Sequence, residues 1–152
     1  MSTSKPGCRI GEAAAQAGVS AANIRYYEKA GLLSLKARED NSYRVYTQQE
    51  IHQLRFIRLC RAMDMSLDEV RTLLGLDLRN KADCAAATVA LDAHIGHVRD
   101  RLVELQGLLA NLTDLRGRCD GGGSKCRIIE ALHAKADALP RAAPRSRVHR
   151  HV

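Results

Sequence analysis

The sequence predicts a mainly α chain, and three observations carry that prediction. Its apolar residues are mostly Leu, Ile, Val and Ala, with few aromatics and no Trp, a composition that favours helices. Two capping boxes, Thr47-Gln-Gln-Glu50 and Ser66-Leu-Asp-Glu69, mark helix starts. From about Asp83 to Arg118, apolar residues recur in alternating steps of four and three, the pattern of a long helix that packs against another. At 152 residues, the chain is one domain or a small domain with an appended element.

The elements follow in order. In RIGEAAAQAGVSAANIRYYEKAG, residues 9–31, Ile10, Ala13, Ala14 and Ala17 give a first short helix its apolar face. Gly18 supplies a turn, Ser20 can N-cap a second helix, and Gly31 can end that helix in a left-handed conformation. Helix, glycine-containing turn, helix is the helix-turn-helix pattern. Residues 32–47, LLSLKAREDNSYRVYT, place the turn residues Asp40-Asn41-Ser42 between two short extended runs, which reads as a β-hairpin, or wing. Alternation puts Arg44 and Tyr46 on one face of it. The helix opened by Thr47 runs to about Met63, with Ile51, Leu54, Ile57 and Leu59 towards the core and Arg55, Arg58 and Arg61 towards solvent or phosphate. The helix opened by Ser66 runs to about Leu76.

The long pattern is a seam of Leu91, Ile95, Val98, Leu102, Leu105, Leu109 and Leu112. A lone helix cannot bury such a seam, and the simplest partner is a second copy of the chain. Stepping backwards reaches Thr88 and then Cys84, which therefore lies on the seam. After Cys126, RIIEALHAKADAL reads as a short amphipathic helix, and PRAAPRSRVHRHV as a flexible basic tail. The expected divisions are 1–79, 80–118 (the dimerisation helix), 119–136 (a loop and short helix) and 137–152 (the tail).

Composition narrows the function. The surplus of 24 Lys+Arg over 17 Asp+Glu suits a polyanionic partner. No apolar run reaches the roughly 18 residues of a membrane span, and no signal-peptide core opens the chain. A cytoplasmic protein without a membrane partner is expected. No nucleophile–base pairing or phosphate loop points to an enzyme. In a reducing compartment, five cysteines are metal ligands or redox sensors sooner than structural disulfides.

Cys119 and Cys126 flank the loop CDGGGSKC. At about 1.5 Å of rise per residue, a continuous helix puts Cys84 about 50 Å from Cys119 in the same chain. In an antiparallel helix pair, Cys84 of one chain would instead lie beside Cys119 and Cys126 of the other, forming a three-thiolate site in trans. Soft thiolates select Cd(II), Pb(II), Hg(II), Zn(II) or Cu(I). Three sulfurs fall short of the four ligands of structural zinc, which shifts weight to cadmium or lead. The competing readings are loop thiols without a role, or a redox-sensing Cys119–Cys126 disulfide. Against the disulfide, such a pair needs no third thiol at an interface. Cys8 and Cys60 read as structural. His94 and His97, one helical turn apart, could join His149 and His151 of the tail in a second metal site, with His133 a further candidate. The alternative is a solvated pair beside the seam.

RIGEAAAQAGVSAANIRYYEKAGLL, SYRVYT, LRFIRLCRAMDMSLDEVRTLL and DAHIGHV together resemble the MerR family of dimeric, metal-responsive transcription activators. The likeness spans about residues 9–135 and is greatest to the cadmium- and lead-responsive CadR/PbrR branch, on Cys84, the C-x6-C loop and the His-containing tail. It implies a winged helix-turn-helix DNA-binding domain, then a long antiparallel coiled-coil dimerisation helix and a C-terminal metal-binding loop. On that likeness, Ser20, Arg25, Tyr26 and Tyr27 belong to the DNA-binding helix-turn-helix, while Arg44 and Tyr46 meet the DNA backbone from the wing. The expected partners are double-stranded promoter DNA, RNA polymerase and a second copy of the chain. Cd(II) is the expected ligand, with Pb(II), Zn(II) or Hg(II) as alternatives. Family activators distort an over-long promoter spacer so that polymerase engages both elements, an indirect-readout mechanism.

Overall fold

The computed structural model describes residues 7–33, 44–119, 121–123 and 125–140. They form six helices: α1 (Ile10–Ala17), α2 (Ala21–Lys29), α3 (Gln48–Ala62), α4 (Leu67–Leu74), α5 (Lys81–Gly117) and α6 (Arg127–Asp137). The chain divides into two compact units, Met1–His97 and Val98–Val152.

In the first unit, α1 packs on α2 and α3, and α3 on α4. Ala13, Ala17, Ile24, Ile51, Leu54, Ile57, Met65 and Val70 are nearly sealed from solvent and form its core, joined by Leu32 and Leu33. Local chemistry sets the helix ends. Ser20 Oγ accepts the Asn23 N–H at 3.1 Å, and both expected capping boxes are complete around Thr47 and Ser66. Gly18 (φ 67°) and Gly31 (φ 77°) end α1 and α2 in the left-handed region. The residue after each glycine donates its backbone N–H back into the helix: Val19 to the Ala14 carbonyl at 3.2 Å and Leu32 to the Tyr27 carbonyl at 2.9 Å. This satisfies carbonyls that the helix end would orphan. The same device closes α3, but there the left-handed residue is Asp64 (φ 64°), with the Met65 N–H donating to the Cys60 carbonyl at 3.1 Å.

One expectation for this unit changes, and two others gain detail. Leu59, expected in the core, is 58% exposed. Of the α3 arginines, Arg55 and Arg58 are exposed as expected and Arg61 is half-buried, and they also serve the fold. Arg55 donates through Nε and Nη2 to the Gln16 carbonyl at 3.0 and 2.9 Å, and Arg61 donates to the Met65 carbonyl at 2.6 Å. Arg58 lies against Gly18, where even a β-carbon would sit 2.3 Å from the guanidinium. Most of the expected hairpin, including Asp40-Asn41-Ser42, lies outside the described residues. Among the described residues of its second leg, Tyr46 forms an antiparallel bridge with Cys8, ahead of α1, through bonds of 3.0 and 2.8 Å.

α5 runs unbroken for 37 residues. The Asn80 side chain accepts the Ala82 N–H at 2.9 Å and caps its start. All seven seam residues, Leu91 to Leu112, are 44–65% exposed in the single chain. In the second unit Leu115 is buried. There the end of α5 and α6 bound an open cleft of about 510 Å³ that includes Gly117, Arg118, Arg127 and Glu130.

Candidate functional site

Three groups of residues carry the chemistry, and the first surrounds α2. Arg25 is exposed, Tyr26 half-buried and Tyr27 buried, with the two tyrosine rings tilted at 55° and centred 5.7 Å apart. Adjacent positions on a helix point about 100° apart, so one tyrosine anchors the core while its neighbour and Arg25 reach the surface. Glu28 follows, buried in the same helix. Its carboxylate accepts the Tyr46 hydroxyl and pairs with the Arg44 guanidinium, which lies 6.0 Å from the Tyr46 ring centre. Tyr46 is therefore a core residue whose hydroxyl is engaged within the protein. Burial raises its pKa, although Arg44 and Arg25 pull the other way.

The second group is the thiols. All five cysteines are free. Cys8 and Cys60 are buried, and burial pushes both thiols up, with Glu12 adding to the effect at Cys8; this matches structural roles. Cys84, Cys119 and Cys126 are exposed. Cys84 lies in the first turns of α5, where its carbonyl accepts the Thr88 hydroxyl at 3.1 Å. Cys119 stands just beyond the far end of that helix, and Cys126 is the residue at which α6 begins. The positive end of a helix dipole suits a site that gathers negative charge. Between the two thiols, Gly121 adopts φ 67°, a bend that a β-carbon would oppose.

The third group corrects an expectation. His94 is not a solvated histidine but is 7% exposed. Its Nε2 lies 2.9 Å from the Met63 carbonyl and its Nδ1 3.0 Å from Glu69 Oε1. Both neighbours offer acceptor oxygens, an arrangement that favours the protonated ring. Its pKa is raised, chiefly by the Met63 carbonyl, against desolvation and with help from Glu69. His97 Nδ1 lies 3.1 Å from the same carboxylate oxygen, while the other Glu69 oxygen accepts the Ser66 N–H at 2.7 Å. Burial opposes ionisation of Glu69, but these bonds outweigh it and bring its pKa to about 2.

One ligand atom from each of Glu69, His94 and His97 lies within 4.8 Å of the others. A cation there would replace the proton on His94 Nδ1, leaving Nε2–H on a backbone carbonyl, the orienting bond that metal-ligating histidines use. His149 and His151 lie outside the described residues, and His133 is exposed on α6. The sequence places Glu69 only in a capping box. A capping box uses one carboxylate oxygen, and the spare oxygen is the signal that points beyond it.

Residues 8–76 match the description "MerR HTH family regulatory protein", and residues 51–115 match "MerR, DNA binding". The heavy metal-dependent transcription regulator 2 of Rhizobium meliloti (strain 1021) is 38% identical over 125 residues, covering 81% of this chain and 84% of that protein. Among solved structures, the transcription regulator PbrR691 from Ralstonia metallidurans CH34 in complex with lead(II) is 41% identical. It has a TM-score of 0.70 and covers 82% of this chain and 98% of that one. The dual-function regulator MerR of Bacillus megaterium MB1 in complex with mercury(II) is 30% identical, with a TM-score of 0.62, covering 83% and 99%. Helix-turn-helix, long helix and relatives thus agree: the chain belongs to the MerR family of transcription regulators and is not an enzyme.

Proposed function

We propose that the protein is a metal-responsive regulator that binds promoter DNA as a homodimer. In this reading it activates metal-resistance genes when Cd(II) or Pb(II) enters a site of Cys84 from one subunit and Cys119 and Cys126 from the other. The observation that carries it is the placement of three exposed thiols at the two ends of one long helix whose apolar seam is uncovered. Antiparallel pairing along that seam covers the apolar face and brings opposite ends together. The likeness to a lead-bound regulator supports the ligand class, and likeness to a mercury-bound one makes Hg(II) the second reading. Glu69, His94 and His97 form an accessory cation site on this view, with the tail histidines His149 and His151 as further donors.

In this mechanism Arg25 and Tyr26 meet the DNA from α2, Ser20 holds the start of that helix, Tyr27 packs beneath it, and Arg44 meets the backbone beside it. Metal binding ties a glycine-rich loop of one subunit to the helix start of the other, and coupling requires that the two dimer arrangements differ in metal affinity. RNA polymerase would engage the distorted promoter.

Mixed dimers test the trans site. Cys84→Ser paired with Cys119→Ser/Cys126→Ser retains one complete site, whereas either homodimer has none. On adding cadmium, ultraviolet thiolate-to-metal absorbance should appear in the heterodimer alone. Silence there, with normal absorbance from the Cys84→Ser homodimer, would show that the three thiols do not act together. Titration with Cd(II), Pb(II), Zn(II) and Hg(II), with transcription read in parallel, ranks the inducers.

A further inference from the structure

We infer that Glu28 is a positioning residue for DNA binding: its buried carboxylate holds Arg44 in place for a phosphate. The inference rests on the proposal that Arg44 meets the DNA backbone. Glu28 lies in α2, the helix that carries Arg25 and Tyr26, and its side chain is only 7% exposed. A carboxylate removed from water is costly unless it is paired, and both partners found here come from one short segment after residue 43: the Arg44 guanidinium and the Tyr46 hydroxyl. Glu28 therefore fastens that segment to α2, while the bridge between Tyr46 and Cys8 fastens it to the residues ahead of α1.

Arg44 is the member with capacity to spare. Its side chain keeps 24% of its exposure, and a guanidinium offers five N–H donors in a rigid fork, more than a single carboxylate oxygen can engage. An unanchored arginine loses rotamer freedom when it meets a phosphate. One already seated against Glu28 has met that cost during folding. The pairing also fixes where the charge stands relative to α2, so that Arg25 and Arg44 present their charges with a set separation.

The test uses the full-length protein and a fluorescent duplex that the wild type has selected from a randomised pool, with affinity measured by anisotropy across a salt series. Glu28→Gln keeps the side-chain volume and an acceptor for the Tyr46 hydroxyl, and replaces the charged oxygen that holds Arg44 with an uncharged NH2 donor. Releasing one phosphate from the protein's grip should lower the slope of log affinity against log salt by about 0.9. Arg44→Ala should lower it by about one such step per subunit, with a loss of about tenfold in affinity. Glu28→Gln should reproduce that change although Arg44 is still present, and the double variant should be no worse than Arg44→Ala alone.

Wild-type affinity and slope in Glu28→Gln, beside an impaired Arg44→Ala, would overturn the positioning role and leave Arg44 as a phosphate partner. Tighter binding with a steeper slope in Glu28→Gln would also overturn it, by making Glu28 a competitor of the phosphate. An additive double variant with an unchanged slope would reduce Glu28 to fold stability. Unchanged binding by Arg44→Ala would overturn the inference together with the reading beneath it. If Glu28→Gln does not fold, Glu28→Asp, whose carboxylate is drawn back by one methylene, is compared in the same way.

Discussion

At residue scale, Asp64 occupies a left-handed position where the other two such helix ends use glycine. An L-residue there costs about 1 kcal/mol, partly offset by the greater freedom glycine brings to the unfolded chain. Asp64→Gly should therefore raise stability by about 0.5 kcal/mol, read from denaturant midpoints at constant slope. Glu69 and His94 give the metal-free protein a two-sided pH response. The Glu69 carboxyl is lowered from 4.5 to about 2, so its stabilisation is present above pH 4.5 and lost as pH falls towards 2. His94 is raised from 6.5, so its stabilisation is complete below pH 6.5 and lost as pH rises through its folded value. Between those limits both contribute in full. Melting curves recorded with chelator should flatten on the alkaline side in His94→Gln, and an unchanged alkaline limb would contradict the raised pKa of His94. None of this is readable from DAHIGHV, because the acceptors of His94 lie 25 and 31 residues upstream and meet it only after α3, α4 and α5 have turned on one another.

At the scale of elements, signals confined to one helix were legible and those between helices were not. Ser20, both capping boxes, Gly18 and Gly31 act within a few residues of themselves, and each stands where its sequence context placed it. Arg55 is the surface charge its position predicts, but nothing local reveals that it also reaches a carbonyl of α1 39 residues away. The bridge between Cys8 and Tyr46 escaped for the same reason. Ser66 joins the two kinds of signal, since the Glu69 that completes its capping box also holds both histidines. Ser66→Ala should cost about 1 kcal/mol through the lost cap. It should also loosen Glu69, so that the alkaline loss of stability begins at lower pH than in the wild type. Cap loss with an unmoved pH profile would separate the two roles of Glu69.

At the scale of the molecule, the seam was visible as a period, and the structure shows what that period leaves uncovered. Burying a leucine contributes about 1.5–3 kcal/mol, and a charge in its place opposes burial. Leu102→Glu should therefore yield a monomer at micromolar concentration by light scattering, without unfolding Met1–His97, whose core lies elsewhere. A dimer that survives this change would exclude the seam as its interface. The thiol site is less legible from a single chain than the seam is, because on the proposed reading it is complete only in the dimer.

The uncovered seam of α5 has a genetic consequence. On the proposed pairing, subunits joined through it cannot tell a sound copy from a damaged one when the damage lies in α2. A cell making equal amounts of the wild type and Arg25→Ala would hold about three quarters of its dimers with at least one defective half. If both halves must grip the promoter, the damaged allele should be dominant. Adding Leu102→Glu to that same allele should make it recessive, because a chain that cannot pair cannot spoil its sibling.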